Sequence, residues 1–280
     1  MMKVGFLGPE GTFSQEAGKL YFKKIKNARL IPYSTFYDLL IAVDKRKIDE
    51  GITPVENSIE GTVGAVMDML VKDVNLMIRE EIVLPVFQYL LAVPGIKLSQ
   101  ITDIVSHPQA IDQSKNFIRK KLPKAVLHLS YSTADAAMRV SSSGSKKRNF
   151  AAIGAKGLAK LYGLSVIAEK INDYPDNSTR FIVLSKKDHA RTGNDKTSIV
   201  FSIAKDKPGG LYNILGEFAR RNINLTKVES RPSKRALGDY FFFIDLEGHR
   251  SQKGVADALS LIKKRVAFFK LLGSYPHARA

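Results

Sequence analysis

Residues Asn177-Ser178-Thr179-Arg180-Phe181-Ile182-Val183-Leu184 run four polar side chains straight into four apolar ones. The aromatic and β-branched content of Phe181–Leu184 predicts a buried strand. Ahead of it, Asn172-Asp173-Tyr174-Pro175-Asp176 is rich in turn formers, so the strand opens from a loop. Polar groups at the mouth of a buried strand are where α/β proteins present side chains to ligands, because the strand fixes what the loop holds out. An ordinary loop entering a strand has the same look. Three other segments tip the balance.

The first is Gly8-Pro9-Glu10-Gly11-Thr12-Phe13-Ser14, which follows an apolar opening strand. Thr12 and Gln15 are spaced as a capping box for a helix through Ala17, Leu20 and Tyr21. Such a turn offers backbone N–H groups to an anion, although it has neither of the glycine patterns of nucleotide sites. The second is Glu56-Asn57-Ser58-Ile59-Glu60-Gly61-Thr62, after the short strand 51–55. Pro54 argues that the chain leaves the sheet there, and Thr62 is placed to cap the next helix. The third is Ser106-His107-Pro108-Gln109-Ala110, where a strand ends and a proline starts a helix through Ile111, Ser114, Phe117 and Ile118.

Between these segments strands and helices alternate, which predicts largely parallel sheets. Two lobes built this way imply a cleft, with lobe 1 near 1–80 and 166–185 and lobe 2 near 81–165. Residues 186–196 are polar and read as a linker. Beyond them the pattern restarts with the alternation of Ile199, Phe201 and Ile203. A Lys207-Pro208-Gly209-Gly210 turn follows, then a helix on Leu211, Ile214, Leu215 and Phe218. Strands at 224–229, 239–247 and 266–272 and a helix at 254–264 complete a ferredoxin-like βαββαβ domain over 197–280.

Composition removes several function classes. The chain contains no cysteine, which excludes disulfides, thiolate metal sites and cysteine nucleophiles and suits a cytoplasmic protein. No apolar run approaches the roughly 20 residues of a membrane span, and the N-terminal stretch lacks the form of a secretory signal. The net charge of +17 raises a nucleic-acid reading. Its spread argues against one. Residues 191–280 hold 17 Lys and Arg against 8 Asp and Glu, and residues 1–190 hold 27 against 19. Lys146-Lys147-Arg148 and Lys263-Lys264-Arg265 are among the short basic runs, and solvated surface charge accounts for such a spread.

Taken in order, these segments resemble prephenate dehydratase, in its monofunctional form with a C-terminal ACT module, along nearly the whole chain. Besides the four segments, the resemblance rests on Glu229-Ser230-Arg231-Pro232 and on Leu272-Gly273-Ser274-Tyr275-Pro276. It implies a two-lobed, periplasmic-binding-protein-like α/β catalytic domain over 1–185. It also implies decarboxylating dehydration of prephenate to phenylpyruvate, inhibition by L-phenylalanine, and a homodimer or homotetramer. By the same match Thr179 is the key catalytic residue, supported by Asn57, Gln109 and Glu56. Pro9, Gly11, Thr12, Ser58, Ser106, His107, Arg180 and Phe181 are implied for substrate. Pro208, Gly209, Gly210, Leu211, Glu229, Ser230, Arg231 and Pro232 are implied for the effector. Where many family members have Gly-Ala-Leu, this chain has Gly209-Gly210-Leu211. The lost methyl loosens the turn, with inhibition expected to persist.

The residue types suit this chemistry. Loss of CO2 and hydroxide is driven by aromatisation, so no metal, redox cofactor or covalent nucleophile is required. Donors that hold a dianion and meet a leaving oxygen are required. A threonine hydroxyl is a poor Brønsted acid. The residues leave open whether Thr179 relays a proton or donates a hydrogen bond, with Glu56 a further donor if burial raises its pKa. Arogenate dehydratase and a non-catalytic small-molecule binding protein are the alternative readings.

Overall fold

The computed structural model describes residues 1–23, 27–142, 149–203, 208–236 and 238–278. Lys146-Lys147-Arg148 and Lys207 lie outside them. The chain runs β1 (Met2–Leu7), α1 (Phe13–Phe22), β2 (Ala28–Tyr33), α2 (Phe36–Asp44), β3 (Glu50–Asn57), β4 (Gly61–Thr62) and α3 (Gly64–Lys72). Next come β5 (Met77–Pro85), β6 (Tyr89–Ala92), β7 (Asp103–Ser106), α4 (Pro108–Asp112), α5 (Lys115–Lys121), β8 (Val126–Leu129) and α6 (Thr133–Ser142). Then follow β9 (Phe150–Gly154), α7 (Gly157–Tyr162), β10 (Ser165–Ala168) and β11 (Ser178–Ser185). The chain ends with β12 (Asp195–Ser202), α8 (Gly210–Ala219), β13 (Leu225–Pro232), β14 (Tyr240–Glu247), α9 (Lys253–Arg265) and β15 (Phe268–Pro276).

The fold is α/β, with three sheets. A six-stranded sheet has the order β2-β1-β3-β11-β5, with β4 on β3. Its β1 and β2 pair in parallel from Met2–Ala28 to Leu7–Tyr33. Pro54 therefore lies within a central strand, against the sequence expectation. A proline removes a single ladder donor, and the strand runs on to Asn57 with the Val55 carbonyl accepting from Val63 N at 2.9 Å. Thr62 is not a helix cap. It pairs with Glu56 in the β3–β4 hairpin, and α3 starts after Val63 without a side-chain cap.

Chain contacts group the protein into two compact units. One comprises Met1–Phe36, Glu56–Thr62 and Leu84–Arg180; the other comprises Tyr37–Val55, Val63–Val83 and Phe181–Ala280. Within the first, a five-stranded sheet has the order β10-β6-β9-β7-β8. Alternation predicts parallel pairing, yet β10–β6 and β6–β9 are antiparallel while β7–β8 and β7–β9 are parallel. β6 is entered directly from β5, a strand of the other sheet, so no strand–helix–strand crossover sets its direction here. Two apolar clusters enclose the sheet, one around Leu90, Ile104, Ile118 and Ile153 and the other around Leu91, Ala137, Ala152 and Leu158. The helix expected to run through Ser114 is two helices, α4 and α5. They part at Gln113 and Ser114, whose side chains are buried.

Within the second unit, the four-stranded antiparallel sheet has the order β13-β14-β12-β15 and carries α8 and α9, which is the ferredoxin-like arrangement. Ile199, Phe201, Ile244 and Leu246 pack with Ile214, Phe218, Ala258 and Ile262. The alternation in β12 that predicted this core puts Ile199 and Phe201 inward as expected. Asp195 and Lys196, read as the end of a linker, belong to β12 and are buried.

Candidate active site

The Gly8–Ser14 turn forms at the carboxyl end of β1. Thr12 caps α1 by accepting from Gln15 N at 3.4 Å. Its hydroxyl lies within reach of the carbonyls of Leu7 (3.2 Å) and Pro9 (3.1 Å), which closes the turn. The expected capping box is displaced by one residue, because Gln15 Oε1 accepts from Gly11 N at 2.8 Å. Gly11 has φ +83°, and a Cβ there would lie 2.3 Å from Leu158 Cδ2, so the position admits only glycine without rearrangement. Gly8 N donates to the Tyr33 carbonyl at 2.8 Å. Two of the backbone donors expected for an anion are thus engaged within the protein. Beside the turn is a surface pocket of about 470 Å³, lined by Gly8, Pro9, Glu10, Pro32, Tyr33 and Ser34.

The β3–β4 hairpin and the mouth of β11 meet through Asn57. Backbone N–H groups of Ile59 and Glu60 donate to Asn57 Oδ1 at 3.0 and 3.1 Å, which is the side-chain-mediated turn expected of asparagine. Its Nδ2 is thereby turned to Thr179 Oγ1 and Asn177 Oδ1, both at 2.9 Å. Thr179 is 9% exposed and Asn177 1%, so these are buried, directional contacts. Ser58 braces the pair: Ser178 N donates to its Oγ at 3.0 Å, and that Oγ approaches Asn177 Oδ1 at 3.4 Å. Arg180 grips Glu56 Oε2 with Nε and Nη2, each at 3.1 Å. The Glu56 carboxylate is an ion-pair acceptor here.

The third segment behaves differently. Ser106 is fully buried, and its hydroxyl donates to the Ile153 carbonyl at 2.7 Å, tying β7 to β9. That hydroxyl is spent on the sheet rather than offered to a substrate. The same holds for Phe181, 1% exposed, whose ring is core. His107 caps α4, with Nδ1 accepting from Gln109 N at 3.3 Å. The Gln109 side chain is half-buried, and among the described residues it makes no hydrogen bond to Asn57 or Thr179.

Gln113, one helical turn on from Gln109, joins the cluster through Asn177. Its Oε1 accepts from Asn177 Nδ2 at 3.1 Å and from Gln88 Nε2 at 3.3 Å. Sequence reasoning passed over both glutamines. The signals were present: Gln113 stands four residues after Gln109, and Gln88 interrupts an otherwise apolar run from Ile82 to Val93.

In the C-terminal domain the segment Glu229–Pro232 lies on β13. Glu229 accepts from Arg231 Nη1 at 3.3 Å and pairs with Lys227 at 3.1 Å. Arg231 also reaches α3, with Nε 3.6 Å from Asp68 Oδ1, and Lys234 joins the same carboxylate at 2.5 Å. Gly209 is left-handed at φ +79° and precedes α8, so the turn expected over Pro208–Leu211 is present. A Cβ at Gly210 would lie 3.6 Å from Ile203 Cδ1, an ordinary contact. Gly210→Ala is accordingly expected to stabilise the protein by about 0.4–1 kcal/mol through the unfolded chain. Denaturant unfolding checks this, and a lower midpoint would contradict it.

No helix among the described residues is long and apolar enough to cross a membrane, and none of their His, Asp and Glu clusters suits a metal ion. The family model for prephenate dehydratase matches residues 4–189. The chain belongs to the prephenate dehydratase family. The ACT domain model matches residues 197–260, over the ferredoxin-like region. The chain is 40% identical over 273 residues to the prephenate dehydratase of Methanocaldococcus jannaschii, covering 96% of each chain. It is 39% identical to the bifunctional chorismate mutase/prephenate dehydratase of Aquifex aeolicus, covering 99% of this chain and 74% of that one. The crystal structure of prephenate dehydratase from Arthrobacter aurescens in complex with L-Phe superposes with a TM-score of 0.89 at 37% identity, covering 99% of this chain and 90% of that chain.

Proposed function

We propose that this chain is a prephenate dehydratase. It converts prephenate to phenylpyruvate, CO2 and water, and is inhibited by L-phenylalanine acting at the C-terminal module. One observation carries the assignment of the site. Asn57 Nδ2 donates to Thr179 Oγ1, so the hydroxyl's own proton is directed elsewhere, available as a donor. As the ring carboxylate leaves as CO2, its bonding electrons complete the aromatic ring. The ring C–O bond breaks, and the departing oxygen takes up negative charge. A fixed O–H aimed at that oxygen stabilises charge that develops only in the transition state. Glu56, as the ion-pair partner of Arg180, holds the β11 mouth in place and is not the proton source. The proton that makes water comes from solvent.

In this reading Thr179, Asn57 and Gln113 form the catalytic cluster. The Gly8–Thr12 turn, Ser58, His107, Gln109 and Arg180 line the approach of the dianion. The catalytic domain spans 1–185, residues 186–194 join it to the module, and the module begins with β12 at Asp195. The protein acts in the cytoplasm, in keeping with its lack of cysteine. It assembles as a homodimer or homotetramer. The exposed apolar side chains of Tyr212, Val228 and Tyr240 in the module support self-association.

Phenylpyruvate formation by the purified protein, with prephenate and with arogenate and with or without L-phenylalanine, tests the proposal. Turnover of prephenate that falls on adding L-phenylalanine is expected. A folded protein inactive on prephenate would refute it. Arg231→Ala, which removes one of the two module cations on Asp68 of α3 and leaves Lys234 in place, is expected to leave kcat within about twofold and to raise the L-phenylalanine concentration for half-inhibition about tenfold, a coupling of roughly 1.4 kcal/mol. Loss of turnover with inhibition unchanged would show that Arg231 serves the catalytic domain instead.

A further inference from the structure

We propose that Gln88, at the far end of the polar network from the Thr179 hydroxyl, is a positioning residue for the reaction. Its carboxamide donates to Gln113 and so helps set the direction in which Thr179 points its proton. The inference rests on Thr179 being the donor to the leaving oxygen, and adds what fixes that donor's polarity.

A carboxamide accepts at one end and donates at the other. A row of touching carboxamides has two self-consistent settings, reversed in polarity, unless groups of fixed polarity hold it. Here the row is Gln88, Gln113, Asn177 and Asn57. At one end the backbone N–H groups of Ile59 and Glu60 can only donate, and both meet Asn57 Oδ1. Asn57 must then offer Nδ2 to Thr179 Oγ1 and to Asn177 Oδ1. Asn177, its oxygen engaged, offers Nδ2 to Gln113 Oε1 at 3.1 Å, and Gln88 Nε2 meets the same oxygen at 3.3 Å. If Gln113 turned over, its amide nitrogen would face two donors. Gln88 is thus a second donor on Gln113 Oε1, and it reinforces the polarity that the backbone N–H groups of Ile59 and Glu60 set at Asn57.

The rest of Gln88 fits this role. It is 3% exposed, its backbone N–H donates to Asn172 Oδ1 at 3.2 Å, and its carbonyl accepts from Ile171 N at 2.9 Å. The side-chain Oε1 is buried without a hydrogen-bond partner among the described residues. A buried orphan acceptor is costly and calls for an explanation at the site where it occurs. Leu90 and Ala92, on the same face of the strand as Gln88, join an apolar cluster, so packing alone would favour a hydrophobic residue. The donor end, at Gln113, is the part with a use.

Two variants test this. Gln88→Leu keeps the volume and removes the donor. Gln88→Glu keeps the shape but donates only when protonated; as a carboxylate it accepts, and draws the Gln113 amide nitrogen toward itself. The readouts are kcat and KM for phenylpyruvate formation from prephenate across pH, with thermal unfolding in parallel. Gln88→Leu is expected to lower kcat roughly tenfold or more, in line with the cost of misplacing a catalytic group, with KM within threefold and Tm close to the parent's. Gln88→Glu should lose kcat as pH rises and recover it as pH falls, a limb that the parent protein lacks. On a Thr179→Val background neither change should lower kcat further. Gln88→Leu with parental kcat, or Gln88→Glu with the parental pH profile, overturns the proposal, as does a Gln88 deficit that persists undiminished in Thr179→Val. Failure of the underlying reading shows separately, as near-normal turnover by Thr179→Val alone. Gln88→Leu adds no charge to the core and carries the test by itself if Gln88→Glu does not fold.

Discussion

Thr179→Val is expected to lower kcat for phenylpyruvate formation by about 10²–10³-fold, the usual loss when one preorganised donor to a developing oxyanion is removed. Valine keeps the β-branched shape and so the strand packing at the mouth of β11. The variant also removes an acceptor from Asn57 Nδ2, which keeps Asn177 Oδ1 at 2.9 Å and the Ser178 carbonyl at 3.2 Å. The stability cost should stay at the roughly 1–2 kcal/mol of one lost hydrogen bond, small beside the kinetic effect. Thr179→Ser retains the hydroxyl but frees its rotation, so a loss nearer tenfold is expected. The ordering Thr, then Ser, then Val in kcat, with KM moving little, separates a transition-state donor from a group that merely binds substrate. A Val variant within threefold of the parent would remove Thr179 from the mechanism.

That site was half legible beforehand, for a physical reason. Thr12 as a cap, Asn57 as a turn residue and Thr179 at a strand mouth all follow from local chemistry, where the partner lies within a few residues. Gln88 and Gln113 depend on contacts across 25 and 64 residues, and no local rule says which distant amide answers a buried one. The same limit explains Ser106. Its position beside a proline-started helix looks ligand-facing, while its actual partner, the Ile153 carbonyl, is 47 residues away. At the level of the fold, the restart of alternation after residue 196 was enough to predict βαββαβ. The strand directions of the β6–β10 sheet were not, because periodicity reports which face is buried and says nothing of direction. Pro54 and Thr62 misled for a related reason. Each carries a strong positional preference, and the sheet tolerated the first while the hairpin used the second.

Lys196→Met is expected to cost about 3–5 kcal/mol, the penalty for breaking a buried ion pair by removing one partner. Lys196 Nζ lies 3.0 and 3.3 Å from the two oxygens of Glu81, and the two residues are 8% and 2% exposed. Ala278 N also donates to Glu81 Oε1 at 2.8 Å, so the carboxylate links β5 with the first residues of β12 and the chain just beyond β15. Without the ammonium, that amide and the more distant His277 ring at 4.0 Å would compensate a buried negative charge only in part. At the usual slope for large domains, such a loss lowers Tm by on the order of 10 °C. Lys196→Met combined with Glu81→Met should recover much of the stability, since a packed apolar pair matches a buried ion pair in net energy. The interaction therefore specifies which strands meet more than it adds free energy. A single variant that melts within a degree or two of the parent would mean that water reaches the pair and that the contact is no more than a surface bridge. If the double variant instead falls as far as the single one, the loss lies in packing around Lys196 and the ion pair is not its cause.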